Sequence, residues 1–296
     1  MRAPIAALQF APDGKVLVWG GYGEITVGGA KLTVPLAQVH ALAFAPAGTT
    51  LAVGGGVPGE SGTVCLLNWP SGKRRETRKL HTDLIVGLAF SPDGKTLATA
   101  SHDGTAHCGV QKLEGHAGLV LDVAFSADGA DVFTACSDGS LRVFDAATGK
   151  LKRTLSLHTD RIYAIVLQPN SPRCVTASAD KTVRLWQPGI GRLIRIVRGF
   201  EGGVLSVAFS PGSTRLYTGG EEGIVRVIEA DSDHVLAQWK ASIGWLLRLA
   251  LSPDGKTLAT GDSAGAVRRW DALTGAPRPS PASGAGGTPK TSAAPN

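Results

Sequence analysis

Long hydrophobic runs are missing from this 296-residue chain. A helix that spans a bilayer needs about 20 consecutive apolar residues. The longest apolar stretches here have the length of a strand, so membrane insertion is not expected. The N-terminal Met1-Arg2-Ala3-Pro4-Ile5 holds no apolar segment of the secretory kind. Residence in the cytoplasm is the default expectation, unless the chain is part of a larger protein. Cysteine is scarce. Cys65, Cys108, Cys136 and Cys174 lie far apart, without the paired spacing of a zinc site. A disulfide needs Cα atoms within roughly 7 Å, and these four fall in separate stretches, so buried free thiols are expected, with no metal or other cofactor. No Cys-x-x-Cys-His haem site occurs.

Glycine and proline, by contrast, are plentiful at 39 and 17, and hydrophobic residues make up 43% of the chain, enough for a continuous core. The turns repeat. An apolar segment ending in a turn such as Ser91-Pro92-Asp93-Gly94 recurs seven times, with matching turn positions Pro12, Pro46, Pro92, Ala127, Pro169, Pro211 and Pro253. The last three intervals are 42 residues each. A period near this value, with several short strands per unit, marks a propeller-like array.

Residues 158–200 show one unit clearly. Ile162 to Leu167 is aliphatic and β-branched, as a strand buried on both faces should be. Turn residues follow from Gln168 to Pro172. Cys174 to Ser178 and Thr182 to Trp186 read as two more strands around a tight turn. Leu193 to Val197, with interleaved charge, reads as a half-wet outer strand. Four short strands make a sheet too small to bury its own faces, so neighbouring units must supply the core. The expectation is an all-β, seven-bladed propeller over residues 1–275. Its repeats fall at about 1–38, 39–80, 81–115, 116–157, 158–200, 201–242 and 243–275. The Pro-, Gly-, Ala- and Ser-rich residues 276–296 read as a disordered tail.

These units resemble the WD40 repeat family across residues 5 to 275. The fifth repeat carries His158, Ser178, Asp180 and Trp186, the positions that the resemblance assigns to a hydrogen-bonded His, Ser/Thr, Asp and Trp group within a blade. The fourth has His116, Cys136, Asp138 and Phe144. The third has His81, Ser101 and Asp103, with Gly109 at the tryptophan position. The sixth has Glu222 and Ile228, and the seventh Ala264 and Trp270. Histidines that recur once per unit, in register, point to structure and away from catalysis. The resemblance implies a rigid binding platform without a catalytic site. Ala52 to Gly59 also resembles a segment in bacterial WD40 regions attached to c-type cytochrome modules.

Departures from the repeat direct attention to function. Blade seven lacks an obvious fourth strand, so it is expected to be three-stranded or imperfectly closed. Such an edge could pair with a partner's strand in an otherwise monomeric protein. Blade three is short: 13 residues separate Asp103 from His116, whereas 20 separate Asp138 from His158. Blade two carries Gly54 to Gly62 where a shorter turn is expected. Aligning the repeats places Leu84, Leu119, Arg161 and Trp245 before their first strands, at the mouth of the channel. His102, Glu221, Pro58 and Glu60 fall on the same rim. Inside the channel the recurring position is small except at Asp122 and Arg248.

The expected function is therefore non-catalytic capture of a protein or peptide at this mouth. An accessory module of a larger bacterial redox or enzyme system is one alternative. Nucleic-acid binding through the basic Lys73-Arg74-Arg75 loop is another, made unlikely by the lack of interleaved aromatics.

Overall fold

The computed structural model describes residues 3–279. They form seven antiparallel sheets of four strands, each sheet built from one continuous stretch of chain in simple up-and-down order. The innermost strands are Leu8–Phe10, Gln38–Phe44, Ile85–Phe90, Val120–Phe125, Ile162–Leu167, Val204–Phe209 and Leu246–Leu251. They stand side by side around a channel. Outer strands such as Leu151–Leu155 and Val235–Lys240 are mostly exposed.

The core lies between blades. Each of the seven joints holds its own apolar cluster. Phe133, Leu141 and Val143 of blade four meet Ile162, Ile165 and Trp186 of blade five. Val175, Leu185 and Val197 of blade five meet Val204, Phe209 and Leu216 of blade six. Burying both faces of every sheet in this way supplies the stabilisation that a single 40-residue sheet cannot generate alone. The four cysteines are buried free thiols, as expected.

The recurring Ser-Pro-Asp-Gly turns are self-contained. In Ser91–Gly94 the serine hydroxyl donates to Asp93 (2.6 Å) and accepts the Thr96 amide (2.9 Å). The same pattern holds at Ser126 and Ser252. These aspartates are therefore occupied in fixing turns.

One expectation needs correcting, and one pair of alternatives is decided. The blade-two glycines are not a loop. They lie in a long hairpin, Thr50–Val57 paired with Ser61–Asn68 down to Val57 opposite Ser61. Glycine is required there because the neighbouring backbone comes close. A Cβ on Gly55 would sit 1.8 Å from the Gln38 carbonyl oxygen. Blade seven does have a fourth strand among the described residues, the two-residue Pro277–Arg278 paired with Arg269 and Trp270. The ordered blade thus runs past Gly275, into the first residues expected to be tail. The remainder of that tail, from residue 280, lies outside the described residues. Blade three is trimmed as its spacing implied, with Gly109 at φ 58° in the turn between Ala106–Cys108 and Gln111–Leu113.

Among the described residues the ring closes without a shared strand. Ile5, Leu8 and Phe10 of blade one pack with Ala250 and Ala259 of blade seven, and the Ile5 amide donates to the Asp262 carbonyl (3.1 Å).

Candidate binding face at the channel mouth

The loops entering each blade and the turns between second and third strands share one face of the ring, and buried polar groups tie them together. In blade five, Trp186 Nε1 donates to Thr176 Oγ1 (2.8 Å), which meets His158 Nε2 (2.7 Å), and His158 Nδ1 meets Asp180 (2.7 Å). One proton arrangement satisfies every member: indole N–H to hydroxyl, hydroxyl to Nε2, Nδ1–H to carboxylate. The hydroxyl is therefore that of Thr176, not Ser178. Ser178 is used elsewhere. It donates to the Asp160 carbonyl (3.2 Å) and accepts the Asp180 amide (3.0 Å). Blade three repeats the scheme with His81, Asp103 (2.9 Å) and Thr99 (2.7 Å), and Ser101 holds the turn as Ser178 does. Burial works against the Asp103 carboxylate, but Thr105, the Thr82 amide and His81 outweigh it and hold it at about 2. Burial also keeps His81 and His158 below the usual imidazole range, so both are neutral supports at pH 7.

Other blades improvise. His116 keeps Thr134 (2.8 Å), but Asp138 binds Arg142 (2.7 Å) instead, leaving His116 Nδ1 without a partner. Burial and the Arg142 charge bring His116 to about 4. Blade seven retains Trp270 on Thr260 (3.0 Å). Its carboxylate comes from Asp262, two residues before the expected Ala264, and binds Ser242 (2.8 Å) and Arg268 (2.6 Å). In blade six Glu222 takes the Gly202 amide (3.1 Å) and pairs with Arg226 (2.6 Å).

With the loops fixed, the mouth is built from β-bulges. In six blades the pairing of the innermost strand skips one residue: His40, Val86, Leu121, Tyr163, Leu205 and Leu247. A bulge re-aims its extra side chain. Together with Ala6, these residues line a cavity of about 300 Å³ that also takes in His102, Trp245 and Arg248. Below it, a channel cavity of about 150 Å³ reaches Ala7, Ala41, Gly87, Asp122, Ala164, Ser206 and Arg248.

The predicted rim residues scatter around this mouth. Trp245 is 53% exposed and, with His102, lines the cavity. Arg161 is exposed on the same face, and Leu119 is half-buried. Leu84 is a correction: it is 5% exposed. The blade-two hairpin reaches over this edge, the Gly59 amide donating to the adjacent Asp83 (2.9 Å), so no apolar surface is offered there. Pro58 and Glu60 form the exposed tip of that hairpin. Glu221 is engaged by the Gly203 amide (2.9 Å). Sequence reasoning missed the bulge ring, and it missed Tyr22, Leu157 and Ile243, which stand exposed on this same face. It also passed over a Gly-x-Ser-x-Gly match at Gly261–Gly265. That segment is a strand end and tight turn with no helix after it, unlike a nucleophile elbow. Among the described residues no group of three or more His, Cys, Asp or Glu is placed to hold a metal. Among the same residues no helix is long and apolar enough to cross a membrane.

Seven four-stranded blades with a His–Thr–Trp network define a β-propeller of the repeat type. The profile of the WD domain, G-beta repeat matches residues 72–108, 109–145, 149–187, 191–229 and 235–271. These stretches cover more than half of the chain, which belongs to the WD40 family. No curated protein matches the sequence. Each matched stretch begins at or just before the outer strand of one blade and ends on the third strand of the next. The repeat in sequence is thus offset by one strand from the blade in space.

Proposed function

We propose that the chain is a non-catalytic scaffold that captures a protein or peptide on the mouth face. One observation carries the reading: Trp245 stands half exposed over a cavity ringed by Val86, Leu121, Leu205 and Leu247. Large aromatic groups at the edge of an apolar recess are the residues whose truncation most often abolishes binding. Ile243, 95% exposed in the same loop, extends the apolar surface. The network histidines support a scaffold role, because His81 and His158 spend both ring nitrogens on holding loops.

Capture of partners from extract by the wild type and by a Trp245→Ala/Arg161→Ala variant tests this. Loss of capture with an unchanged melting temperature is expected. Capture that survives both substitutions removes this face from consideration.

A further inference from the structure

We infer that the ligand enters the mouth with an acidic side chain, whose carboxylate meets Arg248. This rests on the mouth being the binding face, as proposed above. Arg248, with His40 and Val86, lines both the mouth cavity and the channel beneath it. Burial depresses its pKa, and the charge of Asp122, which lines the same channel cavity, partly offsets this; among the described residues no side chain forms an ion pair or hydrogen bond with the guanidinium. Asp122 stands three blades away across the channel. Its carboxylate is committed to the Val123 amide (2.9 Å) and the Ile165 amide (3.0 Å), where it bridges blades four and five.

No carboxylate among the described residues lines the mouth cavity itself; Asp83, whose charge acts on His102, accepts the Gly59 amide (2.9 Å) at the edge. His40 is held by Gln38 (2.9 Å), and burial, with His102 and Arg248 nearby, brings it to about 4. Burial lowers His102 as well. Among the described residues, the recess therefore presents a cation without a contact partner in a cavity walled by Leu121, Leu205, Leu247 and Trp245. An unpaired cation in such a place is costly, and a carboxylate brought to it forms charge-assisted hydrogen bonds in a low-dielectric site. The occupant is thus a peptide with one Asp or Glu set between apolar residues.

A displayed library of random nonapeptides, selected on immobilised protein, tests this. Wild type is expected to enrich peptides with Asp or Glu at one fixed position between apolar residues. A synthetic copy of a selected peptide with that residue changed to its amide should bind about tenfold more weakly. On Arg248→Gln the acid and amide peptides should bind within about twofold of each other. Arg248→Lys, which keeps the charge, should retain part of the preference and guards against misfolding of the first variant. The inference is overturned if selected peptides carry no acidic position, carry Arg or Lys there, or keep the acid preference on Arg248→Gln. If Trp245→Ala still abolishes binding in those cases, the mouth remains the binding face and only its chemistry has been misread. No enrichment on wild type, or enrichment undiminished by Trp245→Ala, overturns both.

Discussion

Replacing Thr176 by valine removes one hydroxyl from the blade-five network and leaves the shape of the side chain almost unchanged. Thr176 is fully buried. Its Oγ1 accepts from the Trp186 indole at 2.8 Å and meets His158 Nε2 at 2.7 Å. Valine fills the same volume, so no cavity opens. What it leaves is a buried indole N–H and a buried imidazole nitrogen, both without partners. Each such orphan costs about 1–3 kcal/mol, so Thr176→Val should destabilise the protein by roughly 2–5 kcal/mol. Blade four supplies the control. Thr134 serves only His116 (2.8 Å), because Phe144 replaces the indole. Thr134→Val should therefore cost about half as much. Urea unfolding reads both values, provided the slope with denaturant is unchanged. A Thr176→Val cost below about 1 kcal/mol, or one no larger than that of Thr134→Val, would refute the shared-hydroxyl account. Trp186→Phe in the Thr176→Val background should recover part of the loss, since the orphaned indole is gone.

Acid should weaken the fold between pH 6.5 and about 4. His40 and His116 are held near 4 in the native state, so the unfolded chain takes protons that the native protein refuses. Each then contributes a loss of roughly 3 kcal/mol across that window, and His116→Gln should flatten the fall in urea midpoint with pH. Gly55→Ala places a Cβ 1.8 Å from the Gln38 carbonyl oxygen, so it should separate the inner strand of blade two from its hairpin, read as lost hydrogen-exchange protection at Val39 and Ala41. Exchange should also be faster at Val267–Asp271 than at Val183–Gln187. The blade-seven strand pairs outward with only Arg278 and Pro277, and Pro277 has no N–H. Lys73→Glu/Arg74→Glu/Arg75→Glu lies on an exposed edge and should shift stability by less than about 0.5 kcal/mol. A salt-steep affinity for DNA lost in that variant would favour a nucleic-acid role instead.

The fold was legible because every unit announces itself with an aliphatic strand and a Ser-Pro-Asp-Gly-like turn, and seven weak signals in phase reinforce one another. The finer site was not, for reasons that particular residues make clear. Counting by twos along a strand fails at a bulge, so His40, Tyr163 and Leu247, which line the mouth, fell between the positions assigned to rim and channel. The resemblance assigns the network hydroxyl to Ser178, two residues before Asp180. Thr176 does the work because it lies one turn of the pleat deeper, on the face that Trp186 covers. Leu84 was expected at the surface because nothing in a linear alignment shows a hairpin from the preceding blade reaching Asp83. Exposure of Trp245, by contrast, followed from its place in a short loop before the first strand of blade seven.

The offset between repeat and blade has a mechanical side. Six joints of the ring are crossed by the chain itself, and the seventh is not. Where a terminal strand is shared, opening the ring means tearing a sheet. Here it means parting Ile5, Leu8 and Phe10 from Ala250 and Ala259 and releasing the Ile5 amide from Asp262. The molecule is a split washer rather than a welded hoop, and its gap lies between Ala6 on one side and Trp245 and Leu247 on the other, within the wall of the mouth. A ligand seated there would span the split, so occupancy should act as a clasp and raise the temperature at which the ring springs open.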